Sequence, residues 1–201
     1  MPKSFACTRY GGMGLMLAGV VFAVGIFLHP DDTDPNFMFD STWAVIHIGL
    51  GISLLLSMFG FIALLHQFTD RITFGANVMI STLIGSMALL SGLILFVEGF
   101  IFPALGTEER YSPALSMNGP LLSGDFGVAF TVVLALFSIA AIGTGYYLTT
   151  MKEFTSWAGW LLFAAPLIAF APPVPQALFV AGGVIFGIGL IVIGKDLRKI
   201  G

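Results

Sequence analysis

TWAVIHIGLGISLLLSMFGFIALLH, residues 42–66, runs for 25 positions without one Asp, Glu, Lys or Arg. About 20 apolar residues, rising 1.5 Å each as a helix, are enough to cross a hydrocarbon layer of ~30 Å. A membrane strand would alternate apolar and polar side chains, and this run is apolar all round, so it predicts a helix. Outward from it the pattern repeats. Six such segments are expected at about 10–29, 42–66, 73–103, 125–150, 155–171 and 175–194, with ends uncertain by ~2–4 residues. Turn-forming stretches separate them: HPDDTDPN, HQFTDR, GTEERYSPALSMNGPLLSGD, TMKEFTS and APPVP. The third of these predicts a long loop over about 105–124. The third apolar run is over-long for one span, so it tilts or leaves the hydrocarbon before Pro103.

Composition agrees. Of the 201 residues 57 % are hydrophobic and 9 % charged, where soluble domains carry about 25 % charged residues. The fold class that follows is all-α: a polytopic membrane bundle of six transmembrane helices forming a single domain over 1–201. Nucleic-acid binding is excluded as an expectation, because the net charge is −3 and the only basic block is at the C-terminal end. The expected partners are the lipid bilayer and a membrane-protein partner or a second copy. Cys7 is the one cysteine, so no disulfide forms within the chain.

In a six-span model Lys3, Arg9, Arg71, Lys152, Lys195, Arg198 and Lys199 fall on one side and Arg110 on the other. Basic residues favour the cytoplasmic side, which predicts a plasma-membrane protein with both termini in the cytoplasm. The opposite face collects Asp31, Asp32, Asp34, Asp40, Glu108, Glu109 and Asp125. These are either solvated loop charges or an attraction for cations and basic partners.

Small residues recur at helical spacing: Gly49, Ser53, Ser57 and Gly60 in the second segment, and Ser81, Gly85, Ala88, Gly92 and Gly99 in the third. Gly11, Gly14, Ala18 and Gly25 do the same in the first, and Gly183 and Gly187 form GxxxG in the sixth. Lipid is as apolar as leucine, so close backbone approach drives helix association, and these positions are candidate packing faces. The spacing in the third segment makes it the candidate central helix. Pro166 predicts a kink in the short fifth segment, with a freed carbonyl one turn back. Trp43, Trp157 and Trp160 sit at segment ends, the place of the interfacial aromatic belt.

Four residues carry the candidate chemistry. Glu98, in FVEGFIFP (96–103), is an acid within an oily run, and intramembrane acids serve as proton or ion sites as well as inter-helix ties. His29 closes the first segment and His47 lies near the start of the second, at a depth similar to Glu98. These three are candidate ion- or proton-binding residues; with Asp31 they would also make a metal set, and two imidazoles raise haem as a cofactor. Against this stand a helix-terminal histidine and an inter-helix hydrogen bond. His66 lies 19 residues from His47, roughly 28 Å along a helix, and is read as an interface residue. Enzyme signatures are missing: no GxSxG, CxxC, phosphate loop or HExxH occurs. The leading expectation is a non-enzymatic accessory or interaction subunit packing through its small-residue faces. The alternatives are a small cation- or proton-coupled transporter using Glu98, and a metal- or haem-binding membrane protein using His29, His47 and Glu98.

Overall fold

The computed structural model describes residues 5–30, 42–106, 113, 119–170 and 176–200, and every regular element among them is helical. The six expected segments are six helices: α1 (Phe5–Phe27), α2 (Trp43–Phe68), α3 (Phe74–Gly106), α4 (Asp125–Thr150), α5 (Ser156–Ala169) and α6 (Gln176–Ile200). A single helical turn, Pro120–Ser123, precedes α4. Five are long and apolar enough to cross a membrane; α5 is the exception. Its 14 residues reach only about 21 Å, short of the ~30 Å hydrocarbon layer. The chain is thus a helical membrane protein.

Neighbours in space follow neighbours in sequence. Each helix packs against the one before and the one after, and α6 returns to pack on α1, closing a ring. The third helix therefore takes a place in the ring between α2 and α4, which corrects its expected central position.

Glycine lets the seam close. α1 and α6 run antiparallel, and a Cβ on Gly187 would stand 2.6 Å from the carbonyl oxygen of Gly19, while one on Gly12 would stand 2.6 Å from that of Gly194. No real side chain tolerates that approach, so the two backbones touch where only hydrogen fits. Gly183 faces Ile26 on the same seam. Gly11 and Gly25 use another side of α1, against Ala63 and Leu50 of α2. Of the second-segment positions, Gly60 receives Leu15, while Gly49 meets only Val21 at 3.8 Å. Ser53 and Ser57 are buried but bond their own helix, to the Leu50 and Ser53 carbonyls.

The third-segment stripe needs correction. Ser81, Gly85 and Ala88 are exposed on the outer surface of the ring, and a Cβ on Gly85 or Gly92 would meet nothing within 4 Å. α3 packs instead through Leu83, Met87, Leu90 and Ser91, whose hydroxyl donates to the Gly51 carbonyl of α2 at 2.9 Å. Spacing assigned Ser81, Gly85 and Ala88 to one face correctly, but that face looks outward; Gly99 packs as expected, against Ile48 of α2.

The two ends of the ring differ. At one end lie Arg9, Arg71, Lys152, Lys195, Arg198 and Lys199. There Arg71 Nη1 bonds Glu153 Oε1 at 2.9 Å, and Thr8 donates to Gln67 at 3.3 Å. The interior there is filled by Leu64, Phe68, Ile80, Leu148 and Leu197, all fully buried. At the opposite end the ring encloses a space. Lys3, Asp31, Asp32, Asp34, Asp40, Glu108, Glu109, Arg110 and most of the expected long loop lie outside the described residues.

Candidate functional site

The site begins where α1 ends. Backbone bonds from Leu28 and His29 to Val24 and Ile26 continue the last turn, carrying the His29 ring over the ring's interior. In the first turn of α2, Trp43 and His47 are four residues apart and share a face, with rings stacked at 3.9 Å and 24°. Trp43 is buried, so it belongs to the site and not to an interfacial belt; Trp157 and Trp160 are half-exposed.

Glu98 is brought in by an irregularity. Leu93–Ile101, in the middle of the long α3, is π-helical, with turns wider than the 3.6 residues of an α-helix. In a pure α-helix residues four apart drift by about 40° per step, or about 120° across the three steps from Leu90 to Phe102. The wider turn cancels part of that drift, and Leu90, Ile94, Glu98 and Phe102 all face the enclosed space. Trp43 Nε1 donates to the Glu98 backbone carbonyl at 2.9 Å, fixing the stretch to α2.

His29, His47 and Glu98 therefore meet, from three helices. The two Nε2 atoms are 3.2 Å apart, and Glu98 Oε2 stands 3.5 Å from His47 Nε2. The His47 side chain is 2 % exposed and that of Glu98 16 %. Each imidazole places Nδ1 on a backbone carbonyl: His29 on Pro30 at 2.9 Å, His47 on Trp43 at 2.8 Å. The Pro30 carbonyl also accepts from Gln176 of α6 at 3.3 Å.

These partners fix the chemistry. A carbonyl oxygen only accepts, so both Nδ1 atoms carry hydrogen, and a neutral imidazole has no second one. Both Nε2 atoms then turn a lone pair toward each other at hydrogen-bond distance. They bond only when one proton sits between them, making an imidazolium beside the Glu98 carboxylate. The geometry lets the two rings share one proton beside the Glu98 carboxylate.

Below it lies a cavity of about 370 Å³ to which all six helices contribute. Eight phenylalanines line it: Phe179 stands beside His29, ring centroids 5.7 Å apart, while Phe22 and Phe137 both pack on Phe186, at 5.1 and 5.4 Å. Its lining carries His29, Trp43, His47 and Glu98 together at one end, and Thr131 of α4 is also on the wall. Pro166 faces it from inside α5, which stays helical through Ala169. His66 is exposed near the other end of α2.

Asp31 lies outside the described residues, and among those described no group of three or more His, Cys, Asp and Glu side chains is disposed to hold a metal ion. Axial histidines on opposite faces of a haem stand about 4 Å apart, twice a metal–nitrogen bond of ~2.0–2.1 Å. The His29–His47 pair stands closer than that, at 3.2 Å.

Sequence reading singled out the three titratable members. It missed Trp43 as their clamp, for which the signal was the i, i+4 spacing to His47, and it missed the phenylalanine lining. No protein-family model, curated protein or solved structure matches the chain.

Proposed function

We propose that the chain is a small proton-coupled transport protein of a plasma membrane, with His29, His47 and Glu98 as its proton-binding centre. The single observation that carries this reading is the 3.2 Å approach of two Nε2 lone pairs beside a carboxylate. Two acceptor nitrogens at this distance bond each other when a proton lies between them, which a plain tie between helices does not require. Intramembrane ionisable groups facing a cavity mark proton and ion paths. The excess of basic residues at the opposite end supports termini in the cytoplasm, which sets the cluster toward the outer face.

Only three histidines are present, so 15N-histidine NMR of the detergent-solubilised chain can follow each ring. The expected result is one imidazolium proton shared between His29 and His47 and lost in Glu98→Gln, with the His66 ring outside the coupling. Two neutral rings carrying hydrogen on Nε2 at every pH would sink the reading.

A second reading rests on the outward stripe of α3. Asn77, Ser81, Gly85 and Ala88 lie exposed at helical spacing, with Ser81 donating to Asn77 at 3.2 Å. Small and polar residues turned to lipid support docking of a second copy or a membrane partner, as an accessory subunit would. A strictly monomeric chain in detergent and in lipid nanodiscs, with nothing co-purifying, would remove this support.

A further inference from the structure

α4 parts from α3 on its way across the bundle. Among the described residues the two pack closely over Phe74–Gly92, where Met79 lies against Gly143, but scarcely along the π stretch Leu93–Ile101. They meet again only toward the cluster's end of the ring, where the Phe102 and Phe126 centroids stand 6.3 Å apart. Between these two contacts the wall is thin. Thr131 lines the cavity and is nonetheless exposed, and Ile94, Phe130 and Leu134 around it are only half-buried. At helical spacing Thr131 follows Gly127, on the cavity side, and Val128, on the outer side, so it stands at the rim of an opening.

That opening lies within the bilayer. From Asp125, the charged start of α4, to Thr131 is six residues or about 9 Å, inside the nearer half of a hydrocarbon layer of ~30 Å. Around it Phe96 and Phe100 of α3 and Val128 and Val132 of α4 are exposed, an apolar surface turned to lipid. The Thr131 hydroxyl donates to the Gly127 carbonyl at 2.8 Å and so needs no partner from outside. The cavity is continuous with the lipid-facing surface of the bundle.

We propose that this cavity takes one acyl chain of a membrane lipid, entering sideways between α3 and α4 past Ile94 and Thr131. The lipid belongs to the leaflet that holds the cluster. From the level of Leu54 to that of Trp43 the cavity extends eleven residues along α2, roughly 16 Å, long enough for an extended stretch of chain. Its volume of about 370 Å³ falls within the ~300–1,000 Å³ usual for small-ligand sites. An unfilled apolar space forfeits the dispersion contacts of its lining, and a hydrocarbon guest restores them. Occupancy follows concentration measured against the dissociation constant, and at this depth acyl chains are the medium itself. A dissolved solute of similar affinity is outnumbered. The chain lies along Phe130, Phe137 and Phe186 and reaches the Trp43 indole. The inference stands apart from the proton reading, since neither the opening nor the aromatic wall depends on the charge of His29, His47 and Glu98.

The native indole can report the guest. In the double variant Trp157→Phe/Trp160→Phe the buried Trp43 is the sole tryptophan. Reconstituted into phosphatidylcholine vesicles with brominated acyl chains, whose bromine quenches indole emission only at close range, Trp43 should lose most of its fluorescence relative to unbrominated vesicles. Adding Thr131→Phe, which blocks the rim from an exposed position, should restore most of it. Native mass spectrometry from mild detergent should find a phospholipid retained on the wild-type chain and lost in Leu134→Trp, which fills the cavity wall. Unquenched Trp43, equal quenching with Thr131→Phe, or a wild-type chain that retains no phospholipid would each overturn the proposal. So would quenching by bromododecane dissolved in unbrominated vesicles with none by the brominated lipid, which would give the cavity to a free lipophilic solute. The histidine NMR experiment bears on none of these outcomes, so the two readings fail separately.

Discussion

Trp43 holds Glu98 by its backbone, not its carboxyl: the indole Nε1 donates to the Glu98 carbonyl at 2.9 Å while the same ring stacks on His47 at 3.9 Å. One side chain thus sets the positions of both partners of the 3.5 Å imidazole–carboxylate contact.

Trp43→Phe should keep most of the stacking and delete the bond to Glu98. A buried carbonyl left unsatisfied costs about 1–3 kcal/mol, so denaturant midpoints in detergent should fall by that order. The His29–His47 imidazolium signal should broaden or split as the π stretch loosens. Unchanged stability and an unchanged spectrum would show that the indole is only a spacer.

The seam between α1 and α6 gives a sharper contrast. Gly187→Leu forces a side chain against the Gly19 backbone, and overpacking of this kind costs about 1–3 kcal/mol or more. Gly85→Leu adds the same atoms on the outer face, where a Cβ meets nothing within 4 Å, and should change stability by less than about 0.5 kcal/mol. If chains associate through α3, the second variant should dissociate them without unfolding them. Size-exclusion with light scattering and thermal melts, run on both variants, read the two effects apart.

Asp196 ties the basic end together. Its buried carboxylate accepts from the Thr155 backbone N–H at 2.8 Å, where α5 begins, and from Lys199 Nζ at 2.9 Å. Asp196→Ala should cost about 1–3 kcal/mol by stranding that N–H and loosening the start of α5. Asp196→Asn, which retains an acceptor for Thr155, should recover part of the loss. Faster hydrogen exchange confined to the α5 start is the expected local signature, and uniform exchange across the bundle would contradict it.

How much of this was legible in the sequence depends on contrast. Residues 42–66 declare a membrane helix because charge disappears and then returns in HQFTDR. Glu98, His29 and His47 stand out for the same reason, as polar groups in an apolar run. Their meeting does not. It needs ring closure and the π-helical turns of Leu93–Ile101, and neither leaves a pattern in residue type. The stripe Ser81–Gly85–Ala88 shows the complementary failure. In water a face is assigned by polarity, but in a membrane both the lipid side and the protein side are apolar, so spacing reveals a face without its direction. The phenylalanine lining was hidden likewise, since Phe137 and Phe186 read like any other oily positions.

The closing of α6 on α1 has a consequence for biogenesis. A chain made from its N-terminus brings His29, His47 and Glu98 into the bilayer with its first three helices, long before the cavity has a complete wall. Until the last helix leaves the ribosome, the Gly12 and Gly19 side of α1 is an open edge, and the phenylalanines behind it face lipid. Closure of the ring therefore waits for α6 to meet the much earlier α1, and a truncation that removes α6 leaves a five-helix trough in place of a vessel.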